Sequence, residues 1–149
     1  MIIIVFVRLY MNMMTNSYNW YSTLIKPSWA PPSWLFGPVW SVLYTIIAIS
    51  FGTVFYKVFT RELSVIFALP YILNLVFNFS FTYFQFGLKN NILASVDIIL
   101  VLATLIWIIL QKLPMAGSTD INWVRYVNIP YLAWVSFATV LQLTITFLN

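Results

Sequence analysis

The sequence predicts an all-α membrane protein, a bundle of five transmembrane helices. The first reason is composition: 62% of the 149 residues are hydrophobic and only 7% are charged, whereas a soluble domain carries about a quarter charged residues. The second is the length of the apolar runs, because five of them approach or reach the roughly 20 residues that cross the hydrocarbon core as a helix. A membrane β-strand needs only about 10 residues of alternating polarity, and these runs are longer and do not alternate.

The five predicted spans make up a single domain over residues 1–149. Their approximate ranges are 2–18, 39–59, 63–86, 92–113 and 124–148. The first is the weakest, because Arg8 interrupts it and its end is polar. We interpret it as a retained helix and not as a signal peptide, since no basic segment precedes the apolar run and no small-residue cleavage site follows it.

The ends of the later spans are marked by charged residues and turn formers. Lys57 and Arg61 close the second span, and a turn-rich segment, residues 114–120, follows the fourth. Pro70 lies within the third span and Pro130 near the start of the fifth. The connections after the second, third and fourth spans are short, so we expect these neighbours to be antiparallel.

The long connection, residues 19–38, is named here the lid loop. It holds prolines at positions 27, 31, 32 and 38. Because proline fixes φ and disfavours helix at the preceding residue, we expect an ordered, extended segment. Its tryptophans, Trp20, Trp29 and Trp34, have two interpretations: an aromatic belt at the headgroup level, or a cap over a cavity. The density of prolines favours the cap, since a belt needs no rigid backbone.

Two of the spans carry aromatic faces. Trp40 and Tyr44 are four residues apart and share a face of the second span. One face of the fifth span carries Tyr131, Trp134, Ala138 and Leu141. A small residue in the middle of an aromatic face leaves room for a flat guest. The alternative is ordinary packing, which is the commoner reason for an aromatic stripe.

Polar residues form stripes in the third and fourth spans. They are Asn74, Asn78 and Gln85 in the third, and Asp97, Thr104 and Gln111 in the fourth. Unpaired polar groups are costly in hydrocarbon, so both stripes should face inward and form interhelical hydrogen bonds. Asp97 is the one acid well inside a span. It is a functional candidate by its location, or a structural group satisfied by Asn78 or by backbone.

The sequence contains no catalytic constellation. Histidine and cysteine are absent, which removes the usual general base, the thiolate nucleophile and the commonest metal ligands. There is no acid pair and no glycine-rich phosphate loop. Without these ligands we expect no metal site and no required cofactor. The net charge of +4 is small and scattered, so we expect no nucleic-acid partner.

Three motifs carry a family resemblance. The first is "KPSWAPPSWLFGPVWSVLY", residues 26–44; the second is Asn78 followed by Phe86-Gly87 and by Asp97 within "SVDIILV"; the third is "PYLAWVSFAT", residues 130–139. With these motifs in this order, the chain resembles the translocator protein family, also called TspO/MBR proteins, tryptophan-rich sensory proteins or peripheral benzodiazepine receptors.

The resemblance implies a five-helix membrane protein, commonly a homodimer, that binds porphyrins such as protoporphyrin IX and benzodiazepine-type ligands under the lid loop. Carried over to matching positions, the ligand site would comprise Tyr21, Trp29, Pro31, Pro32, Leu35, Phe36, Trp40, Asn78, Val96, Leu100, Trp134, Ala138 and Leu141. The chain departs from the family at Phe81 and Leu93, where members often have tryptophan. It also lacks the tyrosine-and-basic motif that animal members use for cholesterol.

We therefore expect a multi-pass receptor or carrier for a tetrapyrrole, with a role in transport or stress sensing. The porphyrin would be a ligand and not a cofactor, and Lys26 is a candidate partner for its propionates. Two alternatives stay open: a light-dependent porphyrin-degrading enzyme that uses Trp40 and Trp134, and a membrane scaffold regulated by its ligand. Since no targeting sequence is visible, we expect a bacterial cell membrane.

Overall fold

A computed structural model describes residue 16 and residues 19–149. This part of the chain is helical and contains no strand. Its α-helices are α1 (Phe36–Phe59), α2 (Leu69–Thr82), α3 (Asn91–Leu110), α4 (Trp123–Val127) and α5 (Ile129–Leu148). The first predicted span, 2–18, lies outside the described residues apart from residue 16. This span, and with it a bundle of five membrane helices, therefore remains a prediction.

Within residues 19–149, four helical stretches are long and apolar enough to cross a membrane. They are Ser33–Phe59, Val65–Gly87, Asn91–Leu110 and Ile129–Leu148. Turns of 3-10 helix, Ser33–Leu35 and Val65–Ala68, lead into α1 and α2. The four stretches confirm the second to fifth predicted spans as helices of membrane-spanning length.

The lid loop is shorter as an extended segment than the prolines suggested. Residues 19–23 are helical, and helix resumes at residue 33, so the irregular part covers residues 24–32. Pro38 is compatible with this because it lies in the first turn of α1, where the backbone N–H has no intrahelical partner. Proline at that position starts a helix and does not prevent one.

The fifth predicted span is divided into two helices. α4 ends at Val127 and α5 begins at Ile129, with Asn128 between them. Pro130 has no N–H to continue the hydrogen bonding of α4, and the Asn128 side chain donates to the Val124 carbonyl at 2.7 Å. The single helix expected over 124–148 was therefore wrong at its start.

A π-helical turn, Tyr83–Gly87, extends α2 toward the lid end. The Leu88 N–H donates to the Tyr83 carbonyl at 2.9 Å, the five-residue bond of a π-turn. The chain then reverses through Lys89, whose φ of 53° is left-handed. The Asn90 side chain accepts from the Leu93 N–H at 3.0 Å and caps α3. The turn brings the enclosed Gln85 side chain inside the bundle.

The helices pack most extensively in two pairs, α2 with α3 and α3 with α5. A fully enclosed part of the core lies at the end of the bundle away from the lid loop, which we name the closed end. It is represented by Phe51, Tyr71, Leu105, Ile108 and Val124, all at most 1% exposed. The outward helix faces are apolar, as a protein solvated by lipid requires.

Candidate ligand-binding cavity

A cavity of about 390 Å³ lies between α1, α2, α3 and α5 at the lid end of the bundle. This volume is within the range of small-molecule sites, which are mostly apolar with a few placed polar groups. The walls have that character. The first turns of α1, the end of α2 with its π-turn, and the middle parts of α3 and α5 supply most of the lining, together with Tyr21 and Ser33.

Aromatic rings from α1 and α5 meet around the cavity. Trp40 contacts Tyr44 with ring centroids 5.2 Å apart, and meets Tyr131 edge-on at 6.3 Å. Phe36 meets Trp134 edge-on at 5.7 Å. These contacts fix the rings relative to one another. Trp40 and Trp134 remain only partly buried, so aromatic surface is left for a guest.

Other parts of the wall are aliphatic. Ala138 and Leu141 of α5 line the cavity as their spacing predicted, and Ile98 and Val101 of α3 line it too. A methyl side chain at Ala138 leaves space that any larger residue would fill. The cavity depends on this small residue as well as on the rings.

A ladder of hydrogen bonds runs from the cavity into the bundle. The Tyr44 hydroxyl donates to Asn78 Oδ1 at 3.1 Å, and Asn78 Nδ2 donates to the Tyr131 hydroxyl at 2.7 Å. Tyr131 in turn donates to Asn74 Oδ1 at 3.0 Å, and Asn74 Nδ2 donates to Thr104 Oγ1 at 3.0 Å. Asn74, Asn78 and Thr104 therefore make the interhelical hydrogen bonds expected of the polar stripes. Asp97 Oδ2 and Gln111 Oε1, in the stripe of α3, are enclosed without a partner.

The lid loop contacts the rim of the cavity. Tyr21 lines it and meets Phe86 with ring centroids 6.0 Å apart. The Lys26 ammonium lies 4.8 Å from the Tyr21 ring centroid, a distance typical of a cation–π contact. Burial raises the pKa of the Tyr21 phenol, so this group stays neutral and Lys26 supplies the charge at the rim.

The C-terminal end of α5 fastens the lid loop. The Asn149 side chain accepts from the Ile25 N–H at 3.0 Å and donates to the Ile25 carbonyl at 2.9 Å. Farther along the loop, Trp29 meets Phe137 edge-on at 5.9 Å. The loop is thus held to α5 at two points.

The structure brings many of the sequence-predicted site residues together. Those that line the cavity are Tyr21, Phe36, Trp40, Asn78, Trp134, Ala138 and Leu141. Four others lie in the lid loop but do not line the cavity: Trp29, Pro31, Pro32 and Leu35. Trp34 is 70% exposed, which fits the headgroup-level interpretation better than the cap.

Val96 and Leu100 lie outside the cavity lining. They are 53% and 38% exposed, whereas Ile98 and Val101 line the wall in their place. The reason is the phase of α3: Asp97, Val101 and Thr104 share the buried face, and residues 96 and 100 fall on the neighbouring outward face. The carried-over assignment of these two residues has no support in the cavity geometry.

Several lining residues were not among the predicted site residues. They are Ser33, Gly37, Tyr44, Phe81, Thr82, Gln85, Phe86, Ile98, Val101, Val135 and Gln142. The sequence indicated an inward position for Gln142, because a carboxamide inside an apolar span needs a hydrogen-bond partner within the bundle. The shared face with Trp40 indicated Tyr44, and the polar stripe indicated Gln85.

Asp97 is buried, with 3% of its surface exposed, and does not line the cavity. Its Oδ2 is enclosed without a hydrogen-bond partner. Asn78, one of the partners expected for Asp97, instead forms hydrogen bonds with Tyr44 and Tyr131. The Trp134 Nε1 atom is likewise enclosed and unpartnered. Within the described ranges, no group of three or more histidine, cysteine or acidic side chains could hold a metal ion.

Comparison with known sequences decides the family. The sequence profile described as the TspO/MBR family matches residues 1–148. The chain belongs to the TspO/MBR family. The match and the four apolar helices together establish a multi-pass membrane protein.

Named relatives occur in bacteria and animals. The tryptophan-rich protein TspO of Bacillus cereus is 36% identical over 131 residues, which cover 88% of this chain and 81% of the relative. Protein CrtK of Rhodobacter capsulatus is 33% identical over 87% of this chain and 78% of its own length. The human translocator protein is 32% identical over 83% of this chain and 71% of its own length. The bacterial relatives fit the expected bacterial origin.

Proposed function

We propose that this TspO/MBR protein is an integral membrane receptor or carrier for flat, apolar tetrapyrroles, such as protoporphyrin IX, and for benzodiazepine-type ligands. The ligand would occupy the cavity between α1, α2, α3 and α5, in a role of tetrapyrrole transport or stress sensing. The family resemblance supports a homodimer in the bilayer.

The observation that carries the proposal is the shape of the cavity wall. Trp40 and Trp134 present partly buried rings from two helices, and Ala138 leaves space beside them. A macrocycle with a planar π-surface fits such a wall, since stacking on an aromatic side chain contributes roughly 1–3 kcal/mol per ring. Lys26 at the rim suits a ligand that carries carboxylates.

The test is a fluorescence-quenching titration of the purified protein with protoporphyrin IX in mild detergent. Trp134→Ala removes a stacking surface, so we expect Kd to rise roughly 5- to 150-fold. Ala138→Leu fills the space beside the rings, and we expect Kd to rise about tenfold or more. Neither change should unfold the bundle, because both side chains border the cavity.

Matched controls are available on the outward face of α3. Trp107 is 43% exposed and Ala103 is exposed, and neither lines the cavity. Trp107→Ala and Ala103→Leu should leave the affinity unchanged. Equal affinities for wild type, Trp134→Ala and Ala138→Leu would contradict the proposal.

A second candidate function is light-dependent oxidation of bound porphyrin, with dissolved dioxygen as the electron acceptor. It is favoured by one observation: Trp40 and Trp134, both oxidisable indoles, line the same cavity. Illumination of the aerobic complex should then bleach the porphyrin absorption band only when both tryptophans are present. A band that is stable under light would exclude this second candidate.

A further inference from the structure

Two glutamines form a polar patch in the cavity wall, apart from the tyrosine–asparagine ladder. Gln85 lies on the π-turn and Gln142 on α5, and both line the cavity. Gln142 Nε2 donates to Gln85 Oε1 at 3.0 Å, and Gln85 Nε2 donates to Asn91 Oδ1 at 3.3 Å. Gln85 and Gln142 are 1% and 5% exposed, so the pair lies in the protein interior.

The Gln142 nitrogen is held by more than one acceptor. Besides Gln85, it is 3.3 Å from the Thr146 hydroxyl oxygen and 3.5 Å from the Asn91 carbonyl. A carboxamide flip would place the oxygen against Gln85 Oε1 and the Asn91 carbonyl, which can only accept, and would lose the bonds donated to them. The orientation of the Gln142 amide is therefore fixed by its surroundings.

The Gln142 oxygen is the exception among the three cavity-lining carboxamides. Asn78 Oδ1 accepts from Tyr44, and Gln85 Oε1 accepts from Gln142. Gln142 Oε1 accepts no hydrogen bond from any described residue, yet it does not belong to the enclosed unpartnered atoms. Gln142 lines the cavity and its nitrogen is engaged by protein acceptors, so the carbonyl oxygen is the polar atom of this side chain left to face that space.

We propose that Gln142 is a specificity-determining residue whose Oε1 accepts a hydrogen bond from an O–H or N–H group on the edge of the bound ligand. The inference rests on the proposed function, because it concerns the same cavity, and it narrows the ligand class. The site selects flat apolar molecules that carry a donor at this edge over equally flat molecules that carry none. A ligand without a donor would cover the oxygen and leave it unpaired.

The experiment compares two porphyrins that share the macrocycle, the methyl groups and both propionates: mesoporphyrin, which has two ethyl side chains, and hematoporphyrin, which has two hydroxyethyl side chains in their place. In wild-type protein we expect hematoporphyrin to bind about two- to tenfold more tightly, the value of one hydrogen bond. Equal affinities, or a preference for mesoporphyrin, would overturn the inference. Failure of both porphyrins to bind would instead overturn the proposed function.

A substitution of Gln142 tests whether the preference for hematoporphyrin depends on this residue. Gln142→Met keeps the volume and removes the carbonyl oxygen, so the preference for hematoporphyrin should disappear while mesoporphyrin still binds. Gln111→Met, at the far end of α3 and outside the cavity lining, is the matched control and should retain the preference. A preference that survives in Gln142→Met would overturn the assignment. The wild-type comparison decides the inference even if the variant does not fold.

Discussion

The lid end and the closed end of the bundle use the same classes of residue and pack them differently. At the closed end, Phe51 and Tyr71 meet edge-on with ring centroids 4.9 Å apart, and both are almost fully enclosed. At the lid end, Trp40 and Trp134 form similar ring contacts but stay partly buried beside a cavity. Aromatic residues thus serve packing at one end and border a cavity at the other. Stability and binding should be separable by mutation.

The largest effect on folding is expected for Phe51→Ala at the closed end. Removing an enclosed ring leaves a void and costs about 3–5 kcal/mol of unfolding free energy. Denaturant titration in detergent would measure it. Protein that remains folded should bind protoporphyrin IX with wild-type affinity, since Phe51 does not line the cavity. Weaker binding with unchanged stability would show that the closed end contributes to binding and not to packing.

Tyr131→Phe tests the ladder that connects the two ends. The ring stays, but Asn74 Oδ1 and Asn78 Nδ2 each lose their bond to the hydroxyl. Leaving buried polar groups unpaired costs about 1–3 kcal/mol of unfolding free energy, and the same denaturant titration measures the loss. Tyr126→Phe, at a side chain 64% exposed, is the control. Equal stability of the two variants would show that the ladder contributes nothing.

Asn149→Ala addresses the fastening of the lid loop. The variant loses the paired bonds to the Ile25 backbone, so the loop should open more often. We expect the association and dissociation rates of protoporphyrin IX both to rise, by about two- to tenfold, with little change in Kd. Stopped-flow fluorescence measures the rates. Thr144→Ala, at a half-buried site on the same helix whose hydroxyl bonds the Val140 carbonyl, should leave them unaltered. Unaltered rates in Asn149→Ala would exclude a moving lid.

The smallest effect concerns the loop after α1. Glu62 pairs with Lys57 at 2.8 Å and accepts from the Thr60 hydroxyl; the hydrogen bond from Lys57 is the largest cause that holds the pKa of the Glu62 carboxyl below its usual 4.5. A lowered folded-state pKa means that the pair stabilises the fold above pH about 4.5 and loses this contribution as the pH falls further. Glu62→Gln should therefore melt slightly lower than wild type at pH 7 and converge with it in acid. A difference that persists at low pH would refute the ionic origin.

Much of the fold could be predicted because hydrophobicity and length alone mark a membrane helix. The second to fifth spans follow from apolar runs and from the charges that close them. The break at Asn128 and the π-turn at 83–87 were missed, since both arise from local hydrogen bonding that an apolar pattern does not encode. Pro130 is the sequence signal for the break at Asn128, because proline has no N–H to continue the preceding helix.

The candidate site was predictable where helical spacing applied. Trp134, Ala138 and Leu141 were placed on one face by their spacing, and they line the cavity. Val96 and Leu100 came from the resemblance alone and fall on the outward face of α3, although the seven-residue spacing of Asp97 and Thr104 marked the inward one. Which polar atoms stay unpaired, such as Gln142 Oε1, depends on contacts between helices that no single-sequence pattern contains.

We propose that the space between the rings at the lid end receives a flat ligand. A structure of the protein determined with protoporphyrin IX in lipid would show whether it does. We expect density for the macrocycle beside Trp40, Trp134 and Ala138, with a propionate near Lys26. Density confined to the lipid-facing surface of the helices, with the cavity filled by the protein's own side chains, would contradict it.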